Sequence, residues 1–180
     1  MPSPIAHLAL ALSPCVASVP SSSFRSLRVV IAVAVASLIP DADLLLVATL
    51  EGGIVWHHGP SHSLLGAALL GAAVGLSAGV RGRVLGWVVV AAVTHPLLDW
   101  QLGEPGGDPR FGVPLLWPIL PEKMIAASPI FRPFHIHEPG FVANMFRADA
   151  VGAYLREVGF AAVVMGVAWV ARVRSVATVG

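Results

Sequence analysis

Residues 29–50 read VVIAVAVASLIPDADLLLVATL, and this stretch decides the fold class. A bilayer crossing takes about 20 apolar residues, so the run is long enough to span. Its middle nevertheless carries Pro40, Asp41 and Asp43. Two carboxylates in an apolar run are costly to bury, and each needs a cation or a proton. PDAD also reads as a helix break, with the proline opening a new turn and the aspartate capping it. Either way the pattern predicts a membrane helix interrupted at 40–43, with acidic groups at the break.

Four more apolar runs flank this one: 4–19, 64–80, 84–100 and 158–171. The third run in chain order, 64–80, is rich in Gly and Ala, which let membrane helices approach closely. Residues 101–156 differ, being rich in Pro, Gly, aromatic and charged residues; they predict a long extramembrane or re-entrant loop with a short helix near 141–156. Composition agrees with a membrane protein. Of 180 residues 56% are hydrophobic and 12% charged, against about 25% charged in ordinary soluble domains. Mean hydropathy is +0.80. Disorder is excluded, and there are too few polar residues to cover a soluble globule. Net charge is +1 with no basic tract, which removes nucleic acid as a partner. The expectation is all-α: a multi-pass membrane bundle of about five helices forming one domain over 1–180.

No Lys or Arg precedes the first run, and the first basic residue is Arg25. That argues for a retained membrane helix over a cleaved signal peptide. Arg25 and Arg28, Arg81 and Arg83, and Arg172 and Arg174 fall on one side of a five-span layout, predicted to be cytoplasmic. All ten acidic residues and all seven histidines then fall in the opposite half of the layout. The polar chemistry is therefore expected at the extracytoplasmic face of the inner membrane.

Five sequence-distant elements meet there: His7, Asp41 with Asp43, the loop HHGPSHS at 57–63, THPLLD at 94–99, and HIHE at 135–138. His95 and Asp99 are spaced i, i+4, so on a helix they share a face and can grip one ion. Pro96 between them would sit in the first turn of a short helix. Ser61 and Ser63 would either support ligands or cap the next helix. A lone buried His is usually a packed, hydrogen-bonded residue; the convergence of all five elements is what favours a metal. The single cysteine, Cys15, allows no cysteine-based site. Histidine with carboxylate suits Zn²⁺, with Mn²⁺ or Fe²⁺ as alternatives, and the surplus of candidate ligands leaves room for more than one ion.

The order His7, PDAD at 40–43, HHGPSHSLL at 57–65, THPLLD at 94–99 and GVPLLWPI at 112–119 resembles the membrane-bound metal-dependent hydrolases. These are inner-membrane-associated proteins, one type of them LexA-regulated, and they are distantly similar to zinc-dependent phospholipase C. The resemblance covers most of residues 1–120. It implies metal ligands at His7, Asp41, Asp43, His57, His62, His95 and Asp99, with Asp41, Asp43 and His62 as catalytic residues. His58 stands where the family usually has Arg, and Ser61 where it usually has Thr. Imidazole is mostly neutral at pH 7, so the first change weakens a phosphate contact at His58. Arg132, His135 and His137 are further candidates for binding a substrate anion.

The function expected is hydrolysis of a phosphoester in a membrane lipid or lipid-linked substrate by a metal-activated water. Two rivals are a metal-ion carrier or sensor and a structural membrane protein with a non-catalytic metal site. A carrier should place polar groups through the depth of the bilayer, yet 64–80 has no charged residue and no histidine.

Overall fold

The computed structural model describes residues 4–17, 26–44, 57–103, 107–108, 112–131 and 150–177. Among them are five α-helices: α1 (Pro4–Ala17), α2 (Leu27–Leu38), α3 (Leu64–Ser77), α4 (Gly82–Trp100) and α5 (Val151–Ala177). Two short 3₁₀ helices, Ile39–Asp43 and Pro60–His62, lie at the site end. The described residues contain no β-strand beyond two isolated bridges, Leu102 with Phe131 and Val113 with Met124. The all-helical expectation holds.

Local chemistry sets the boundaries. Ser26 caps α2, its hydroxyl accepting from the Val29 amide at 3.4 Å. Pro40 has no N–H to give to the last turn of α2, and the chain tightens there into the 3₁₀ helix Ile39–Asp43. The interruption expected at PDAD is therefore real. Ser63 caps α3 by accepting from Gly66 at 2.9 Å, and a side chain at Gly66 would collide with the Pro60 carbonyl.

Pro96 is a correction. It lies inside the 19-residue α4 instead of in the first turn of a short helix. An interior proline forfeits one backbone bond, but the end of α4 is held from outside. The Trp100 carbonyl accepts from Ala126 at 2.9 Å and the Gln101 carbonyl from Phe131 at 3.0 Å. The last helix also exceeds expectation, running over 151–177 where the sequence predicted 158–171. The residues expected to form a short helix up to 156 belong in part to it, and 141–149 lie outside the described residues.

Helix α4 packs on α3 and α2, and α1 lies against α5, α2 and α4. The central core consists of small side chains: Ala11, Val29, Ala32, Val33, Ala36, Val80, Val88, Ala91 and Ala92. Gly71 and Gly75 bring α3 close to α4. A methyl group added at Gly71 would lie 2.7 Å from the Ala92 Cβ, and one at Gly75 would lie 2.5 Å from Leu85. A second apolar cluster of Ala6, Leu98, Leu102 and Phe131, flanked by Leu10 and Phe160, joins α1, α4 and α5 near the site.

Only α5 among the described helices is long and apolar enough to cross a membrane by itself. Helices α1 and α3 have 14 residues each, about 21 Å at 1.5 Å per residue, against a hydrocarbon core of about 30 Å.

Candidate metal centre

The break in α2, the turn before α3 and the C-terminal half of α4 come together with α1 around a buried group of five imidazoles and three carboxylates: His7, His57, His58, His62 and His95 with Asp41, Asp43 and Asp99. His7, His62 and His95 are fully buried and Asp99 is 2% exposed. Asp41 and Asp43 form the open edge, with side chains 12% and 9% exposed. Every expected metal ligand is in this group.

One part stands on helices. His95 and Asp99 share the inner face of α4, with Nε2 to Oδ2 at 3.1 Å. His95 Nδ1 donates to the Ser37 carbonyl at 2.6 Å. That bond fixes the tautomer and leaves Nε2 as the lone-pair nitrogen, as is usual for a metal-ligating histidine. His7, from α1, stacks on His95 with ring centroids 4.0 Å apart, its Nε2 3.6 Å from Asp99 Oδ1.

Four atoms define the tightest set. Asp41 Oδ1 lies 3.3 Å from both His62 Nε2 and His95 Nε2. Asp99 Oδ2 lies 3.4 Å from His62 Nε2 and 3.1 Å from His95 Nε2. A tetrahedral ion with ligands at about 2.0–2.1 Å keeps those ligands about 3.3–3.4 Å apart. These four separations are compatible with ligands gathered around one metal ion.

The orientations fit as well. Among the described residues, His7 Nδ1 and Nε2, His95 Nε2 and both Asp99 oxygens find no hydrogen-bond partner, despite their proximity. Donor and acceptor atoms this close normally align on one another. Atoms that converge on a shared point could hold an ion there, although His62 Nε2 and Asp41 Oδ1 of the same group also pair with each other at 3.3 Å. Three carboxylates gathered at a buried point need positive charge beside them, from protonated imidazole or from a cation. An uncompensated buried ion costs several kcal/mol (about that much even after relaxation).

The other part stands on the turn 57–62. Asp43 pairs with His57 Nδ1 at 2.8 Å and lies 3.2 Å from His62 Nδ1, which also meets Ser61 Oγ at 3.1 Å, so the Nε2 atoms of both rings are aimed away from it. Ser61 donates to Asp43 Oδ2 at 3.1 Å. The two serines thus divide the roles foreseen for them: Ser61 supports ligands, and Ser63 caps the helix. His58 is buried, with φ of 57°. Burial pushes its imidazole well below the usual range and the neighbouring His57 and His62 add to this, while Asp99 opposes it.

Arg132, His135 and His137 lie outside the described residues. Sequence reasoning passed over Lys123, the only lysine in the chain. Its Nζ donates to the His57 carbonyl at 3.2 Å. Burial lowers its pKa, and the charge of Asp43 works against that lowering. Its uniqueness in the composition was the one available signal.

A helical membrane protein with a buried His/Asp cluster able to hold a metal ion is the class that fold and site define. The chain belongs to the YdjM inner membrane protein family, whose sequence profile matches residues 1–175. Comparison with curated proteins and with solved structures returns no match.

Proposed function

We propose that this protein is a membrane-bound metal-dependent hydrolase that cleaves a phosphoester of a lipid or lipid-linked substrate at the inner membrane. The observation that carries the reading is the set Asp41 Oδ1, His62 Nε2, His95 Nε2 and Asp99 Oδ2, with four separations of 3.1–3.4 Å in a buried pocket. When bound, Zn²⁺ (or Mn²⁺ or Fe²⁺) supplies Lewis acidity and a water acidified toward neutral pH. Asp41, His62, His95 and Asp99 would hold the ion, with His7 stacked beside them, and His57 and Asp43 would extend the centre toward the turn. Asp41 or Asp43, the two carboxylates at the partly open edge, would orient the attacking water. Lys123 supplies positive charge beside Asp43 for an anionic group.

The surroundings support a lipid-like substrate. Leu116, Trp117, Ile119 and Leu120 are exposed on the segment that leads to Lys123, and Trp favours the membrane interface. An apolar groove of about 620 Å³ between α2 and α3 runs from Arg28 to Ile39, the residue before Pro40. That groove would take an acyl chain. Exposed Ile31, Val35, Leu65, Leu69, Val90, Val163 and Val167 spread over α2 to α5; contact with lipid accounts for them, in a multi-pass bundle with the site on the extracytoplasmic side.

A second reading, a structural metal site without turnover, draws on the near-complete burial of His7, His62, His95 and Asp99. A structural site closes its coordination shell, whereas a catalytic one keeps a position for water. Metal analysis by mass spectrometry of the detergent-purified chain tests both. At least one equivalent of zinc or manganese is expected in wild type, and His95→Ala/Asp99→Ala should carry one equivalent fewer. Phospholipid turnover in mixed micelles should follow the metal. Wild type that neither carries metal nor takes up added Zn²⁺ or Mn²⁺ overturns the proposal. Stoichiometric metal without turnover of any phosphoester lipid leaves the structural reading.

A further inference from the structure

His58 has no role in the centre as described so far; the sequence points to it only as a contact for a substrate phosphate. The structure places it elsewhere. The side chain is 4% exposed, and its Nε2 is buried without a hydrogen-bond partner among the described residues. A substrate contact should face an opening, and an unpaired buried nitrogen is costly. His57 Nε2 is in the same condition, buried and unpartnered. The two rings lie 4.2 Å apart, and His58 is 4.8 Å from the His62 ring. One ligand nitrogen from each of His57, His58 and His62 falls within 4.8 Å of the others.

The backbone tells the same story. His58 adopts φ 57°, a left-handed conformation uncommon outside glycine. Gly59 follows directly, so the turn keeps the strained position on the imidazole-bearing residue. Strain held at such a position points to a function for the side chain it aims inward.

We propose that His58 is a metal ligand, and that with His57 it holds a second divalent ion beside the one bounded by Asp41, His62, His95 and Asp99. The His62 ring lies beside this second site, but its Nε2 belongs to the first set and its Nδ1 faces Asp43 and Ser61, so the His57–His58 pair is the part that binds the second ion. Asp43 supports that pair from behind through His57 Nδ1. Imidazole ligands with no direct carboxylate suit a borderline-soft cation such as Zn²⁺ or Co²⁺ and exclude Mg²⁺ and Ca²⁺ as preferred occupants. The inference rests on the metal-centre part of the proposed function, not on hydrolysis.

Cobalt titration of the chelator-stripped, detergent-purified full chain tests it, followed by visible absorbance and by mass spectrometry. Wild type is expected to bind two equivalents and His58→Gly one, with free imidazole restoring the second. Glycine is comfortable at φ 57°, so this variant removes the ligand and relieves the backbone. His58→Asn, which also tolerates that conformation, serves as a second variant. His95→Ala/Asp99→Ala should lose the first ion and keep the His57–His58 one. Uptake by His58→Gly equal to wild type in number and affinity overturns the inference while leaving the hydrolase proposal intact. Wild type that binds no Co²⁺ overturns both.

Discussion

His95 and Asp99 stand one turn apart on α4, and their placement follows from helix geometry, a bond to the Ser37 carbonyl and the small-residue packing of α4 on α2. His57, His58 and His62 stand on a turn that has only the single 3₁₀ helix Pro60–His62 to define it. There the order comes from one carboxylate, Asp43, which holds two imidazoles, and from a strained residue, His58. The helix-borne half is a rigid grip. The loop-borne half is assembled by hydrogen bonds, and its precision depends on residues that are not themselves ligands. Rigid elements hold reacting groups more accurately than loops do, so the first ion should bind more tightly than anything on the turn.

The largest effect should come from breaking the rigid half. Asp99→Asn keeps the shape of the side chain and removes a charge from the fully buried position. Metal affinity is expected to fall by more than about 100-fold, beyond the range of a merely supporting residue. Isothermal titration with Zn²⁺ measures this directly. An affinity within tenfold of wild type would mean that the ion does not sit between α4 and the PDAD break. Acid should have the same effect more gently, because imidazole and carboxylate ligands must be deprotonated to bind. Lowering pH should release metal, and raising it again should restore uptake.

A smaller loss is expected from Asp43→Asn. This change weakens the supports behind His57 and His62 without touching the four atoms of the tightest set. Loss of such a support typically costs about 10–100-fold in metal affinity. The loss should fall mostly on the turn: cobalt bound by the His57–His58 pair should weaken more than cobalt bound near His95. Equal weakening of both would show that the two halves behave as one unit, and the contrast between them would fail.

The same contrast governs what could be read from sequence. His95 and Asp99 were legible because a spacing of four on a helix has one geometric meaning. Asp41 and Asp43 were legible because carboxylates in an apolar run demand compensation. The turn was legible only as a cluster of histidines: nothing in HHGPSH states that Ser61 turns toward Asp43, or that His58 points inward from a left-handed backbone. The start of α5 was missed for a related reason. Residues 141–156 read as a separate short helix ahead of the apolar run 158–171, yet 151–177 is one helix and Glu157 is 1% exposed within it. Pro96 was placed at a helix start because local preference cannot foresee that residues 126 and 131 would hold the end of α4. Such long-range ties leave no periodic trace.

Lys123 is the extreme case, 66 residues from the carbonyl it meets, and it gives the mildest prediction. Its ammonium touches the backbone of the turn, so removing it takes no ligand from either half. Lys123→Met keeps the apolar stem, which is half-buried, and deletes only the charge. Metal content should stay at the wild-type level in both halves. If the substrate is an anionic phosphoester, KM should rise about fivefold, equivalent to about 1 kcal/mol for a partly exposed charge contact. The change in kcat should be much smaller, because the charge is offered to the bound substrate and transition state alike. Raising ionic strength should shrink the difference between variant and wild type, since screening weakens an exposed pair most. A fall in kcat with KM unchanged would place the lysine on the developing charge of the reaction, and a loss of metal would place it in the framework of the turn. Steady-state kinetics at two salt concentrations, with metal counted on the same samples, separates the three outcomes.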